Sequence, residues 1–375
     1  MLPRDTDLIT ITDRFVLSTN DLYHTVPLWG GKTYLMHKNP LNRIVEQGLG
    51  ERAKGHETLP HLPKTELRPH ATPVKVLFLF DGGLGDAISL AVLLDALKTD
   101  FNILSNVACK YEIWQNILWP LGFRGKWFQV PIALENIQVH DYIQTRADQF
   151  FHSQTEKWNL SIINELAESY GFDLNNHLIH YTIPKLIVKR TALPPTSKIR
   201  IGVSLDSKGL IRSYPPTLQP VLIQYLLESG FEVFLFGRHK PSIRGLEHHS
   251  LKDYCGQTTI MELAALIRQM DMVLCMDSFI AHFSNILGVK TLVLLSVTRK
   301  GIYDRHKHVT CLESQIPCTP CGEVGNKCPK RFSQCRAFFH ESITPESIVH
   351  EILRQSTQHL KAIIAESLYK TVLSG

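Results

Sequence analysis

The chain has 375 residues, of which 44% are apolar and 20% charged, and this composition excludes a disordered or fibrous protein. At roughly 100–200 residues per domain, the length predicts two domains. The net charge of +5 is too small to predict a nucleic-acid-binding protein, but it suits anionic substrates or peripheral contact with an anionic membrane surface.

Nothing in the sequence predicts secretion or membrane insertion. Residues 1–7 are polar and include a proline, unlike a secretory signal. No apolar run approaches the ~20 residues that a membrane span needs. The eight cysteines are too few for a disulfide-based scaffold in a chain of this length. We therefore expect a cytoplasmic protein.

Residues 1–70 predict a separate N-terminal extension and linker. Two short runs, Leu8–Ile11 and Thr33–Met36, have the composition of strands and are separated by turn residues. The stretch from Glu46 to Pro73 is rich in Gly, Pro, His and Lys, which predicts a linker. No motif in this extension indicates chemistry.

Residues 71–192 predict the first α/β domain. A buried strand over 74–80 leads into the turn D-G-G-L-G-D, and a helix follows from Ala87 to Thr99. The turn contains Gly83 and Gly85, which would leave space for a ligand. It lacks the G-x-G-x-x-G spacing of nicotinamide sites.

Asp86 stands where this helix begins, and two interpretations of it remain open. Aspartate is selected for helix capping, and spacing alone favours that role. The functional alternative is a general base that deprotonates an acceptor hydroxyl. The two roles do not exclude each other.

Residues 193–345 predict a second α/β domain. Strands over 199–204 and 232–237 flank a helix over 216–229. The alternation of strands and helices in both halves predicts two Rossmann-like doubly wound parallel sheets facing a cleft. Residues 346–375 predict terminal helices.

Two loops of the second domain carry clustered cations. In the loop after its first strand, Arg212 could bind a diphosphate through its fork of donors, and Lys208 could do so as a point charge. The basic loop over 299–308 could meet donor phosphates or an anionic acceptor. Taken alone, each loop is more simply explained as a solvated surface segment.

The polar turn that contains Asp277, Ser278 and His282 is the strongest candidate site. It lies where a buried strand passes to a helix N-terminus, a position that favours anionic ligands. Each residue also has a structural alternative, as a helix cap for Asp277 and Ser278 or as a satisfied, half-buried histidine for His282. Upstream, Thr258 precedes a T-x-x-E capping box that ends at Glu262 and would make that glutamate structural.

Four cysteines lie close together near the end of the second domain, at Cys318, Cys321, Cys328 and Cys335. Their spacing, C-x2-C-x6-C-x6-C, allows four thiolates to close a tetrahedral site around a structural zinc or iron. The alternatives are reduced thiols or adventitious disulfides.

Taken together, these stretches resemble glycosyltransferase family 9, the bacterial heptosyltransferase-like group with the two-domain GT-B fold. The resemblance runs from about Val74 to Ile348. Four ordered motifs carry it: G-D through L-K at 85–98, G-Q-T-T-I-M-E-L-A-A-L-I at 256–267, D-S-F-I-A-H-F-S-N-I-L-G-V-K-T at 277–291, and C-x-x-C, C-P and C followed by I-T-P-E at 318–346.

The resemblance implies an inverting transferase without a catalytic metal. It would move a heptose or related sugar from an ADP-activated donor to a hydroxyl on a glycan, a lipopolysaccharide core or a protein. The donor would lie mainly on the second domain and the acceptor on the first. The implied site comprises Asp86 as base, Arg212 as diphosphate clamp, and donor or nucleotide contacts from Gly83, Gly85, Lys208, Thr258, Glu262, Asp277, Ser278 and His282.

The sequence departs from the family pattern in three places. Phe279 stands where the family has glycine, and its ring would narrow the donor pocket. Arg212 replaces the family's loop lysine, with Tyr214 where tryptophan is usual. About 70 residues precede the first core strand, as in relatives that glycosylate proteins, some of which hold iron on cysteines.

The sequence is compatible with two other functions. One is a nucleotide-sugar epimerase of the same fold, which would need a second acid/base group in the cleft. The other is a non-catalytic scaffold whose Phe279 blocks the donor. An oligomer is compatible with either.

Overall fold

The computed structural model describes residues 6–12, 15–18, 25–53, 69–145, 162–172, 193–207, 210–241, 243, 246–304, 306–319 and 335–356. The chain divides into two compact units. The first combines Met1–Phe151 with Ile162–Pro184, and the second combines His152–Ser161 with Lys185–Gly375. Within the described ranges, every helix is too short or too polar to cross a membrane.

The first unit holds the N-terminal extension and the first α/β segment. Its strands are β1 (Thr6–Ile11), β2 (Phe15–Ser18), β3 (Thr25–Leu28), β4 (Thr33–His37), β5 (Gly50–Arg52), β6 (Val74–Leu79), β7 (Ile103–Ala108), β8 (Trp127–Phe128), β9 (Ile132–Ala133) and β10 (Tyr142–Thr145). Its helices are α1 (Lys38–Glu46), α2 (Leu84–Phe101), α3 (Tyr111–Ile113), which continues as a π-helical turn over Trp114–Leu118, α4 (Leu134–Ile137) and α5 (Ile162–Ser169).

The extension is built into the first unit. Its antiparallel sheet has the order β5-β1-β4-β9, and β9 comes from the α/β segment. Apolar side chains of β1, β4 and α1, including Ile11, Met36 and Ile44, form one core beneath this sheet. The predicted linker therefore contains a strand at its start, since β5 pairs with β1, and α1 was not predicted. Short strands of this kind depend on partners that are distant in sequence.

The α/β segment has a parallel sheet with the order β10-β6-β7-β8. Its first strand confirms the predicted one, but α2 begins at Leu84, three residues earlier than predicted. The residues L-G-D, predicted as turn, form the first helical turn. Asn102 ends the helix in the left-handed conformation, which asparagine adopts at lower cost than most residues.

The second unit contains a longer parallel sheet. Its strands are β11 (Arg200–Ser204), β12 (Glu232–Leu235), β13 (Leu251–Asp253), β14 (Met272–Met276), β15 (Thr291–Leu295) and β16 (Val309–Glu313). Its helices are α6 (Gln219–Glu228), α7 (Ile260–Ile267) and α8 (Phe279–Ile286), followed by α9 over 345–356. Short 3-10 turns lie at Leu210–Arg212, Lys300–Tyr303, Ala337–Phe339 and Glu341–Ile343.

The six strands are arranged in the order β13-β12-β11-β14-β15-β16, all parallel. The central strands β14 and β15 are buried at every residue, as expected of a sheet covered on both faces. Ile348 and Ile352 of α9 pack in one hydrophobic core with apolar side chains of β14 and β15. The sequence order reverses between β11 and β14, and open α/β sheets bind ligands at such a switch point.

Candidate functional site

The loops after β11 and β14 meet at the switch point of the second unit. The first loop carries Ser207 and Arg212, and the second carries Asp277 and Ser278. Ser207 Oγ donates a hydrogen bond to the backbone carbonyl of Asp277 at 3.1 Å. Because β11 and β14 are neighbouring parallel strands, their carboxyl ends bring these loops together. The order of the strands in the sheet therefore brings the residues of the candidate site together.

The Asp277 side chain is buried, with 6% of the residue exposed, and receives hydrogen bonds at both oxygens. Tyr303 Oη donates to Oδ1 at 2.6 Å, and Thr298 Oγ1 donates to Oδ2 at 2.8 Å. A nitrogen of the Arg212 guanidinium lies 3.1 Å from Oδ2 and also donates to the Asp277 carbonyl. Both oxygens of this carboxylate are therefore bound by donors of the same chain.

The charge of Asp277 is stabilised by these neighbours. Burial acts to raise the pKa of the carboxyl, but the Arg212 guanidinium and the hydroxyls of Tyr303 and Thr298 outweigh it, and the pKa is lowered. The carboxylate is therefore ionised at neutral pH and forms a buried ion pair. Removing either charge would leave the other without its partner.

Arg212 keeps unused donor capacity. Its side chain is 21% exposed, and Ser296 Oγ fixes the turn beside it by donating to the Ile211 carbonyl at 2.7 Å. The Nε atom is buried and has no hydrogen-bond partner among the described residues. A buried donor of this kind costs free energy until a ligand or water accepts from it.

Ser278 occupies the N-cap position of α8, but its hydroxyl makes no capping hydrogen bond. The expected cap is therefore incomplete, since Oγ is buried and has no partner in the described part of the chain. The serine carbonyl accepts from Ala281 N at 3.1 Å, as the first bond of the helix. Helix N-termini favour anions because their first N–H groups lack intrahelical partners.

Phe279 opens α8, where it is half-buried. Its ring stacks on Phe283 of the same helix, with the centroids 4.7 Å apart. Residues four apart lie on one helix face, so this pair extends the apolar side of α8 to its N-terminus. Phe279, which stands where the family has glycine, therefore packs against a residue of its own chain.

His282 is buried and forms a histidine pair. Its Nδ1 lies 3.0 Å from Nε2 of His306, and its ring stacks on Tyr303 with centroids 5.2 Å apart and planes at 25°. Burial, followed by the charge of His282, lowers the pKa of His306 to about 3. His306 is therefore neutral at physiological pH. His282 has a partner, as the structural alternative expected, but it is buried and not half-buried.

The lowered pKa of His306 predicts a loss of stability in acid. Between pH 6.5 and 3, the unfolded chain binds a proton at this residue that the folded chain does not bind, so the free energy of unfolding should fall on acidification. The slope is about 1.4 kcal/mol per pH unit. Urea unfolding of the wild type and of His306→Gln at pH 7, 6 and 5 measures it. We expect a shallower pH dependence in the variant, and parallel profiles would contradict the assignment.

Upstream of β14, Thr259 and Glu262 form the capping box that the sequence allowed. Thr259 N and Oγ1 donate to Glu262 Oε2 at 2.8 and 2.9 Å, and Thr259 Oγ1 accepts from Glu262 N. The backbone and side-chain hydrogen bonds of Thr259 lower the pKa of Glu262. Both residues are exposed and Thr258 is partly exposed, so they remain reachable for a ligand.

In the first unit, Asp86 is the third residue of α2 and not its N-cap. Gly83 holds the cap position and donates its backbone N–H to Asp86 Oδ2 at 3.0 Å. Asp86 therefore does stabilise the start of the helix. It does so from the first helical turn, by accepting a hydrogen bond from the preceding N-cap residue. Gly83 has φ −80°, and a Cβ added there would meet nothing within 4 Å, so its backbone does not require glycine. Gly85 lies in the first helical turn.

Several predicted site residues fall outside the described ranges: Lys208, Cys321 and Cys328. Of the other two cysteines, Cys318 is exposed and Cys335 is half-buried. Among the residues that the structure describes, no three His, Cys, Asp or Glu side chains come together as a metal site.

The structure adds Thr298, Tyr303 and Ser296 to the candidate site. All three follow β15 and donate hydrogen bonds to Ile211 or Asp277, in the loops after β11 and β14. The sequence alone did not predict these residues, because Tyr303 lies in a segment whose many cations predict a solvated loop. The signal that could have found them is the order of the strands, which makes β15 the neighbour of β14.

Residues 214–331 match the family model of glycosyltransferase family 9 (heptosyltransferase). This confirms the resemblance over the segment that contains Asp277, Ser278 and His282. No curated protein sequence matches the chain at a significant level.

Solved structures resemble the chain at low identity. An E. coli ADP-heptose lipopolysaccharide heptosyltransferase II matches with a TM-score of 0.56 and 14% identity, over 76% of this chain and 99% of that one. The iron-containing dodecameric glycosyltransferase TibC from enterotoxigenic E. coli H10407 matches with a TM-score of 0.58 and 12% identity, over 96% and 93%. A family 9 glycosyltransferase from Veillonella parvula gives 0.57 and 13%, over 76% and 97%.

These likenesses confirm the GT-B fold with Rossmann-like domains. The family match over 214–331 indicates that the chain is a glycosyltransferase.

Proposed function

We propose that this glycosyltransferase transfers a heptose or related sugar, with inversion, from an ADP-activated donor to a hydroxyl acceptor. One observation carries the donor part of the proposal. At the N-terminus of α8, Arg212 Nε and Ser278 Oγ are both buried, and neither has a hydrogen-bond partner among the described residues. A diphosphate supplies acceptor oxygens for both, and the helix N-terminus adds favourable electrostatics.

The identity of the donor is supported by a structural relative. TibC, in a complex with ADP-D-β-D-heptose, matches this chain with a TM-score of 0.55 and 10% identity over 94% of the chain. Family 9 is described by its heptosyltransferases. We therefore propose an ADP-heptose as the donor in preference to other activated sugars.

The proposed chemistry is a single displacement at the anomeric carbon. Asp86 removes the proton of the acceptor hydroxyl, the oxygen attacks, and the bond to the nucleotide diphosphate breaks. Arg212 stabilises the negative charge that develops on the leaving diphosphate. A general base typically contributes about 10²–10⁴-fold to such a reaction.

The acceptor class is a glycan, a lipopolysaccharide core or a protein. We place the enzyme in the cytoplasm, where peripheral contact with the membrane is compatible with its net charge of +5. The match to TibC spans 96% of the chain, whereas the match to heptosyltransferase II spans 76%. This supports an oligomeric assembly of the kind that TibC forms.

A structural metal on the four cysteines is part of the proposal. Thiolates at 318, 321, 328 and 335 would suit zinc or iron, and TibC is an iron-containing relative. Four protein ligands would leave no open position for catalysis. Elemental analysis of freshly purified protein tests it, and the absence of both metals refutes it.

A thermal-shift screen tests the donor proposal. A ligand that binds only the folded state raises the apparent stability, by about 2.7 kcal/mol at a concentration one hundred times its dissociation constant. We expect ADP and ADP-heptose to raise the melting temperature, and adenosine to raise it less. No shift with any nucleotide diphosphate at millimolar concentration would contradict the enzyme proposal and favour a scaffold.

The epimerase alternative is tested without an acceptor. An epimerase converts an activated sugar alone, whereas the proposed transferase leaves it intact until an acceptor hydroxyl is supplied. Incubation with ADP-heptose alone, followed by chromatography, separates the two functions.

A further inference from the structure

Tyr303 occupies a central place in the second unit that the proposed chemistry does not use. Its hydroxyl donates to Asp277 Oδ1 at 2.6 Å, the shorter of the two hydroxyl bonds to this carboxylate. Among the described residues, Tyr303 is the one that donates to Oδ1, while Thr298 and Arg212 contact Oδ2. This hydroxyl therefore fixes one of the two oxygens of the carboxylate.

The ring of Tyr303 is itself fixed on two sides. It stacks on His282, and it meets His306 edge-on, with centroids 5.1 Å apart and planes at 76°. The side chain is buried. Burial, followed by the charge of Asp277, raises the pKa of Tyr303 well above its ordinary value, so the phenol remains a donor at every physiological pH. Two histidines thus pack against the ring of the phenol that donates to Asp277.

Asp277 in turn binds one terminal nitrogen of the Arg212 guanidinium. A single guanidinium nitrogen contacts both the carboxylate and the carbonyl of Asp277, while Nε remains without a described partner. A guanidinium is planar, so fixing one nitrogen restricts the direction of the remaining N–H groups. An arginine restrained in this way binds an anion with less loss of side-chain entropy.

We infer that Tyr303 is a positioning residue that, through Asp277, orients the Arg212 guanidinium for the diphosphate of the donor. The inference rests on the proposed function, since it assigns a route by which that same site is organised. It also changes the part that Asp277 and His282 play. Asp277 orients Arg212, and His282 supports the Tyr303 ring, so neither needs to touch the sugar.

Tyr303→Phe tests the inference, because it removes the hydroxyl and keeps the ring between the two histidines. Calorimetric titration with ADP should show binding about tenfold weaker than in the wild type, the factor that ~1.4 kcal/mol represents. Adenosine, which lacks phosphates, should bind both proteins equally. An equal loss for ADP and adenosine would mean that the hydroxyl supports the fold in general, and would overturn the inference.

A double-mutant cycle with Arg212→Gln separates positioning from an independent effect. In the Arg212→Gln background, Tyr303→Phe should cause little further loss of ADP affinity, because the group it positions is gone. A full tenfold loss in that background would also overturn the inference.

A second pair of variants covers the case in which Arg212→Gln does not fold. Thr298→Ser keeps the other hydroxyl on Asp277, and calorimetric titration compares its affinity for ADP with that of Thr298→Val. Thr298→Val removes that hydroxyl and should lose affinity for ADP but not for adenosine. Equal ADP affinity in the two variants would overturn the inference, because the hydroxyls on Asp277 would then not position Arg212.

The wild type separates the two proposals. If it binds ADP and Tyr303→Phe binds equally well, the inference fails alone. If the wild type binds no ADP, the proposed function fails as well.

Discussion

Asp86→Asn is expected to lower the rate of sugar transfer by about 10²–10⁴-fold, the typical contribution of a general base, with ADP affinity unchanged. Asparagine is the informative replacement because of the local structure. Its side-chain oxygen can still accept the hydrogen bond from Gly83 N, which Asp86 accepts at 3.0 Å. The substitution therefore removes the base and keeps the helix start. Single-turnover transfer and calorimetry with ADP measure the two effects.

Asp86→Ala is the control for the structural role. It loses both the base and the hydrogen bond to Gly83, so it should be less stable than Asp86→Asn, by about 1 kcal/mol as for other helix caps. If Asp86→Asn transfers sugar at nearly the wild-type rate, Asp86 serves only to hydrogen-bond the start of α2 and the base lies elsewhere.

Asp277→Ala is expected to be the most destabilising single change proposed for the second unit, at about 3 kcal/mol. The substitution leaves the Arg212 guanidinium without its counter-charge and removes the acceptor of Thr298 and Tyr303. Arg212 is 21% exposed and retains some solvation, so the estimate is at the lower end for buried pairs. Chemical unfolding at pH 7 measures the change.

Asp304→Ala is the matched control, since this carboxylate lies on the loop beside Tyr303 but is exposed. Its effect should stay within about 0.5 kcal/mol. The pH dependence adds a second check on Asp277. Its folded-state pKa is lowered, so its contribution is fully present above about pH 4 and is lost below that, as pH falls through the folded pKa. Similar losses for both alanine variants at pH 7 would show that the Asp277 network adds little stability.

The sequence predicted the second unit more accurately than the first. Buried parallel strands such as β14 and β15 are continuous apolar runs, and the helices between them have clear apolar periodicity. In the extension, α1 and β5 were not predicted. Their short segments carry weak local signals, and β5 is a strand only because β1 lies beside it.

The sequence by itself determined the α/β class, the four motifs shared with family 9 and the residue types of the candidate site. Only the tertiary structure decided what those residues contact. Tyr303 is 26 residues from Asp277 along the chain, and Arg212 is 65 residues away. The order of the strands makes them neighbours, because parallel strands bring distant loops to one edge of the sheet. Spacing along the chain places a carboxylate at a strand end, but its partners are set by the strands that lie on either side.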